Sequence, residues 1–174
     1  MCNSTATVPR IYVACLAGYN AGHLHGRWID ANQDADSIHE EIQEMLSASP
    51  ISDAEEWAIH DHEGFCGVSV GEYEDIERIV ELAQLIDEHG PAFAAYASHV
   101  GIDHTDVDGF QDAFCGHWDS EEAYAEHTVD EGLWGEIPEN LTFYIDTEKM
   151  ARDLFCGDYF SVDGDCGVYV FHNH

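Results

Sequence analysis

Basic side chains are the scarcest feature of this sequence. Five Lys and Arg stand against 36 Asp and Glu, a formal net charge of −31. A chain so poor in positive charge repels nucleic acid and anionic membranes, and it attracts strongly basic partners. Long apolar runs are also missing, and none approaches the roughly 20 residues of a spanning helix. The segment MCNSTATVPRIYVACLAGYN lacks the basic and apolar regions of a signal peptide, so a cytoplasmic protein is expected. The six cysteines (Cys2, Cys15, Cys66, Cys115, Cys156, Cys166) contain no C-x-x-C pair. They are expected to be reduced, small packing residues. No Gly/Ser-rich or Pro-rich linker and no internal repeat interrupts the chain, so its parts are expected to pack end to end.

What is present argues for folded structure. Apolar residues make up 45% and aromatics 11%, which excludes the disorder of weakly hydrophobic acidic chains. No Asp or Glu precedes Asp30, and Arg78 is the one base between Ile29 and Glu148. The acids alternate with core-forming residues instead of forming a like-charged block, so they belong to folded elements.

The pattern of elements points to an α+β chain of three small units. In residues 8–67, Ile11–Leu16 and Leu24–Ile29 are expected strands, with a Gly-rich loop between them. Ser37 and Glu40 fit a capping box for a helix carrying Ile38, Ile42, Met45 and Leu46, and Glu56–His62 alternates as a third strand. Residues 68–108 are expected to be helical, with helices over Glu72–His89 and Ala92–Val100 separated by Gly90-Pro91. The Asp-rich segment Asp103–Gly109 breaks the pattern. In residues 109–174, Phe110–Trp118 reads as a short helix into a strand. A helix capped by Asp119 follows, then one starting at Asp146. Tyr159–Val162 and Gly167–Phe171 pair as a hairpin across Asp163-Gly164.

Chemistry-bearing motifs are few. An EF-hand aligned on Gly109 would place His104 and Cys115 at its first and last ligand positions, so it fails at both ends. The close pairs His23/His25, His60/His62 and His172/His174 could each share a strand face, yet no box supplies further zinc ligands. Neither Cys15 nor Cys66 lies in a nucleophile signature, and neither a P-loop nor a dinucleotide fingerprint occurs. The expectation is therefore no catalytic residue, no metal and no cofactor. The informative stretch is Trp118–Asn140, which carries eight carboxylates and no Lys or Arg. Glu122, Glu126 and Asp130 recur every four residues, which puts them on one helix face at intervals of about 6 Å. Duplex DNA carries one negative charge per about 1.7 Å of axis. A charge of −31 corresponds to roughly fifteen base pairs, and a dimer to roughly thirty over about 100 Å. Halophilic adaptation, or an acidic docking module for another basic partner, is the alternative that composition leaves open.

Several segments resemble the ArdA family of antirestriction proteins. They are Arg10–Asn20, Leu24–Asp30, Glu55–Phe65, Gly71–Glu74, Ala92–Tyr96 and Tyr144–Leu154, and the similarity spans about Arg10 to Phe171. The resemblance implies an elongated three-domain chain, encoded on mobile elements, that dimerises through its C-terminal unit and is not an enzyme. It implies a mimic of bent B-form DNA that fills the DNA-binding groove of type I restriction–modification enzymes. The family's antirestriction motif matches best at Phe114–His127. Joined to the charge pattern, the resemblance nominates Glu72, Glu74, Asp75, Glu81, Asp112, Asp119, Glu121, Glu122, Glu126 and Asp130 as phosphate-mimicking carboxylates. No nucleic acid and no membrane is expected as a partner.

Overall fold

The computed structural model describes residues 8–173, in which helices alternate with two small antiparallel sheets. The described residues divide between Ser98 and His99 into two compact units.

In the first unit, β1 (Arg10–Cys15) is the centre of a three-stranded sheet ordered β2-β1-β3. A short helix, α1 (Leu16–Asn20), follows where the Gly-rich sequence reads as a loop. The Cys15 thiol makes it possible by accepting the Gly18 N–H, a hydrogen bond that a pattern of apolar residues does not reveal. The next strand, β2 (Gly26–Asp30), pairs Ile29 with Ile11. Helix α2 (Ala35–Ser47) lays Ile38, Ile42, Met45 and Leu46 into the core. Its cap is Asp34, not the expected Ser37. The Asp34 carboxylate accepts both the N–H and the hydroxyl of Ser37, so the helix begins three residues early. Strand β3 (Trp57–Glu63) completes the sheet, with Ile59 opposite Val13.

Helix α3 (Ile76–His89) begins at the Asp75 cap, so Glu72 and Glu74 precede the helix instead of opening it. Its buried stripe is Ile76, Ile79, Val80, Leu82, Ala83 and Ile86. The chain then turns at Gly90, where φ is +73°, a conformation glycine adopts without a Cβ penalty. Helix α4 (Pro91–Val100) starts at once, with Pro91 at a first-turn position that has no N–H to lose. Residues Ala92 to Ala97 are all buried, as a helix apolar all round requires.

The second unit opens with α5 (Val107–Ala113). Asp106 caps it by accepting the Gly109 N–H at 2.7 Å, so the Asp-rich segment starts a helix where the sequence reads as a break. Strand β4 (Phe114–Trp118) follows, and then α6 (Glu121–Asp130). The cap of α6 is Ser120, whose hydroxyl accepts the Ala123 N–H at 3.1 Å; Asp119 lies one residue outside. Helix α7 (Thr147–Leu154) is capped by Asp146 as expected. The hairpin β5 (Tyr159–Asp163) and β6 (Val168–His172) also forms as expected, in a sheet ordered β4-β6-β5. Phe110, Phe114, Phe160 and Phe171 fill this unit with mutually packed rings, the Phe160–Phe171 centroids lying 5.0 Å apart. A second cluster of Ala125, Ala151 and Leu154 joins α6 to α7, with Tyr159 and Phe155 against it.

The five described cysteines are thiols, and Cys2 lies outside the described residues. Cys15 is buried, but Cys66, Cys156 and Cys166 are exposed, so the reading of all six as packing residues is corrected.

Candidate functional site

Carboxylates dominate both units in nearly equal measure. Residues up to Ser98 hold 18 acids and 3 bases, and those from His99 hold 18 acids and 2 bases. The units therefore carry −15 and −16 of the total. The basic side chains do little to interrupt this field. Arg10 lies against Glu63, Arg27 against Glu41 and Glu44, Arg78 against Glu81, and Arg152 against Glu148. All are surface pairs, worth about 0–1 kcal/mol each. Their larger consequence is that each arginine cancels its own charge locally. No arginine stands as a separate positive centre that would repel a basic partner.

The nominated carboxylates fall into two groups. Glu72, Glu74, Asp75 and Glu81 belong to the first unit. Asp75 is held by capping α3, accepting the Arg78 N–H at 3.3 Å. Glu72 is exposed, and its charge raises the neighbouring Tyr73 hydroxyl above its ordinary range by repelling a second negative charge. Glu81 is exposed but already paired with Arg78, so part of its charge is spent within the chain.

The second unit supplies Asp112, Asp119, Glu121, Glu122, Glu126 and Asp130. Asp112 is exposed on α5 and Asp119 is exposed ahead of α6. Along α6, Glu122, Glu126 and Asp130 are all exposed on one face, while Tyr124, Ala125 and Thr128 are buried on the other. The row exists because the buried side is fixed. Tyr124 packs edge-on to Tyr159 at 5.2 Å and to Trp118 at 5.5 Å. Burial pushes the Tyr124 phenol upward, followed by hydrogen bonds to Tyr159 and Cys115. Glu121 turns away from the row and accepts the Ser161 hydroxyl at 2.6 Å, which ties α6 to the hairpin. Glu121 is half-buried, so its first duty is to position the helix.

The start of α6 also borders a concavity of about 590 Å³. Asp119, Glu121 and Glu122 line it together with Glu148, Arg152 and Asp163. Glu148 and Asp163 were not among the nominated residues. They lie 26 or more positions further along the chain than Glu122, and spacing within one helix cannot signal that approach. Among the described residues, no group of three or more His, Cys, Asp or Glu is placed to hold a metal ion. His25 is engaged at 2.7 Å by the Met45 carbonyl, and His60 stacks edge-on with Tyr19 at 4.9 Å. His174 lies outside the described residues. No described helix is long and apolar enough to cross a membrane.

An acidic surface of this kind defines a class of partner, and comparison with known families narrows it. The model of the antirestriction protein ArdA matches residues 11–167, nearly the whole chain. The chain belongs to the ArdA family of antirestriction proteins. Among curated proteins, none matches it. Membership makes the function antirestriction and the partner a restriction enzyme. It also accounts for the segments from Arg10 to Phe171 that resemble the family, since the match covers all of those residues but Arg10 and the last four.

Proposed function

We propose that the protein mimics B-form DNA and fills the DNA-binding groove of type I restriction–modification enzymes. The observation that carries this reading is the near-equal charge of the two units, each bearing 18 acids and no arginine free of a carboxylate neighbour. A groove built to hold phosphates presents Arg and Lys at intervals along its length. Carboxylates can take the phosphate positions there and form charge-assisted hydrogen bonds. Inhibition is then occlusion, stoichiometric and without turnover. Because many contacts share the work, no single carboxylate among Glu72, Glu74, Asp75, Glu81, Asp112, Asp119, Glu121, Glu122, Glu126 and Asp130 decides it.

The resemblance to the family adds a homodimer formed through residues 109–174; the sequence pattern adds a central helical unit over residues 68–108 and action in the cytoplasm, where restriction takes place. Sedimentation equilibrium checks the dimer. The test of function is a titration of a purified type I enzyme with its substrate DNA. Methylation and cleavage should both fall linearly and reach zero near equivalence, and raising the salt should restore them. Full activity at severalfold excess, for every type I enzyme tried, would sink the reading.

A further inference from the structure

The C-terminal end of α6 is where its carboxylate row is hardest to keep. Asp130 is the last helical residue and Glu131 the C-cap, so two acids meet the negative end of the helix dipole. Glu126 and Asp130 also repel each other at a spacing of four. His127 is the basic residue of the last turn, and its ring lies 4.5 Å from that of Trp118. The dipole and the repulsion both favour fraying of this turn, which takes Asp130 out of the row.

Residues beyond the helix hold the turn closed. The Leu133 N–H reaches back to the Thr128 carbonyl at 3.1 Å. The Trp134 indole N–H donates to the Thr128 hydroxyl at 2.9 Å, and that hydroxyl donates to the Ala125 carbonyl at 2.6 Å. Thr128 is buried, so its hydroxyl takes the indole where water does not reach. Thr128 thus binds the following segment through both its backbone and its side chain, two residues before Asp130. At the other end of the helix, Glu121 is tied to the hairpin through Ser161. The row is fastened near both ends.

We infer that Trp134 is a positioning residue for the acidic surface. Through Thr128 it keeps the last turn of α6 closed, and so keeps Asp130 in line with Glu122 and Glu126 for the basic partner. The partner's identity rests on the proposed function; the fastening of the turn does not. A row ordered before the partner arrives removes an ordering cost from binding.

The test begins without the partner. Trp134→Phe keeps an aromatic ring and the charge but removes the N–H, and far-UV circular dichroism confirms folding. Amide hydrogen exchange at Asp130 to Leu133 should speed up about tenfold in the variant, while Tyr124 and Ala125 stay as protected as in the parent. Thr128→Val, which removes the bond from its other side, should give the same loss. Unchanged exchange in both variants would overturn the inference. Affinity for a type I enzyme is then measured between about 50 mM and about 200 mM salt for the parent, Trp134→Phe, Asp130→Asn and the double variant. Each single variant should bind about fivefold more weakly at the lower salt, with a log–log salt slope shallower by about 0.9, the share of one phosphate-like contact. The double variant should match Trp134→Phe. A parent-like salt slope in Trp134→Phe, or effects that add in the double variant, would show that Asp130 keeps its place without the indole and would overturn the positioning role. A parent that binds no type I enzyme would sink the proposed function, whereas faster exchange in the variants would still support the fastening of α6 by Trp134.

Discussion

Single side chains and single glycines set the geometry on which the acidic surface stands. Gly167, in the β5–β6 hairpin, has φ +97°, and a Cβ there would come within 2.1 Å of the Trp118 carbonyl oxygen. Its own carbonyl accepts the Gly164 N–H at 2.8 Å, closing the turn. Both the backbone angle and the close approach demand glycine, because neither neighbour is a flexible side chain. Gly167→Ala should therefore destabilise the protein by about 2–4 kcal/mol, read from urea unfolding. A change below half a kcal/mol would mean that the approach of β6 to Trp118 is relieved by movement. Glu121 shows the opposite lesson. It is acidic like its neighbours, yet the Ser161 hydroxyl occupies it, so a carboxylate's place in the sequence does not fix its use.

At the scale of elements, the helices depend on acidic caps. Asp34, Asp75, Asp106 and Asp146 each accept an N–H from the first turn of α2, α3, α5 and α7. A carboxylate at a helix N-terminus also meets the positive end of the helix dipole. The same residue type therefore contributes to folding and to surface charge. For Asp34, the Ser37 N–H and then the Ser37 hydroxyl hold the carboxyl below its ordinary value of 3.8. A lowered folded value means that the cap's charge contributes stability above pH 3.8 and loses it as the pH falls through the folded value. Asp34→Ala should thus differ most from the parent near neutral pH, and the gap should narrow below pH 3.8. Denaturant midpoints of both proteins over an acid pH series measure this. A gap that widens on acidification would show that the carboxylate is not what caps α2. Helix α6 departs from the pattern with a neutral cap, Ser120, which leaves Asp119 outside the helix and exposed.

At the scale of the whole molecule, a charge of −31 acts on folding and on binding with opposite signs. Like charges oppose the compact state, and salt screens them with a Debye length of about 10 Å at 0.1 M. The partner's attraction is screened by the same ions. Adding sodium chloride to dilute buffer should therefore raise the melting temperature while weakening inhibition of the restriction enzyme. Parallel thermal melts and inhibition titrations check the pair of trends. A protein that unfolds altogether in dilute buffer would instead fit halophilic adaptation, the alternative its composition allows.

Much of this was legible in the chain itself. Element types followed from apolar periodicity: the Ile38, Ile42, Met45 stripe, the Ile76 to Ile86 stripe and the paired β-formers of the last hairpin all appear where the pattern puts them. Periodicity works because helices and strands here must each bury one face. The α6 row was likewise readable, since helical spacing alone carries Glu122, Glu126 and Asp130 to one side. Helix starts were read less well, because whichever side chain can reach the first-turn N–H wins. At α2 that was Asp34 over Ser37, and at α6 Ser120 over Asp119. What only tertiary structure decided is which carboxylates are already occupied and which long-range neighbours share the surface. Arg78 takes part of Glu81, Ser161 takes Glu121, and Glu148 and Asp163 arrive beside α6 from distant positions. Sequence spacing determines the side of a helix to which a charge belongs. Only packing determines what stands opposite it.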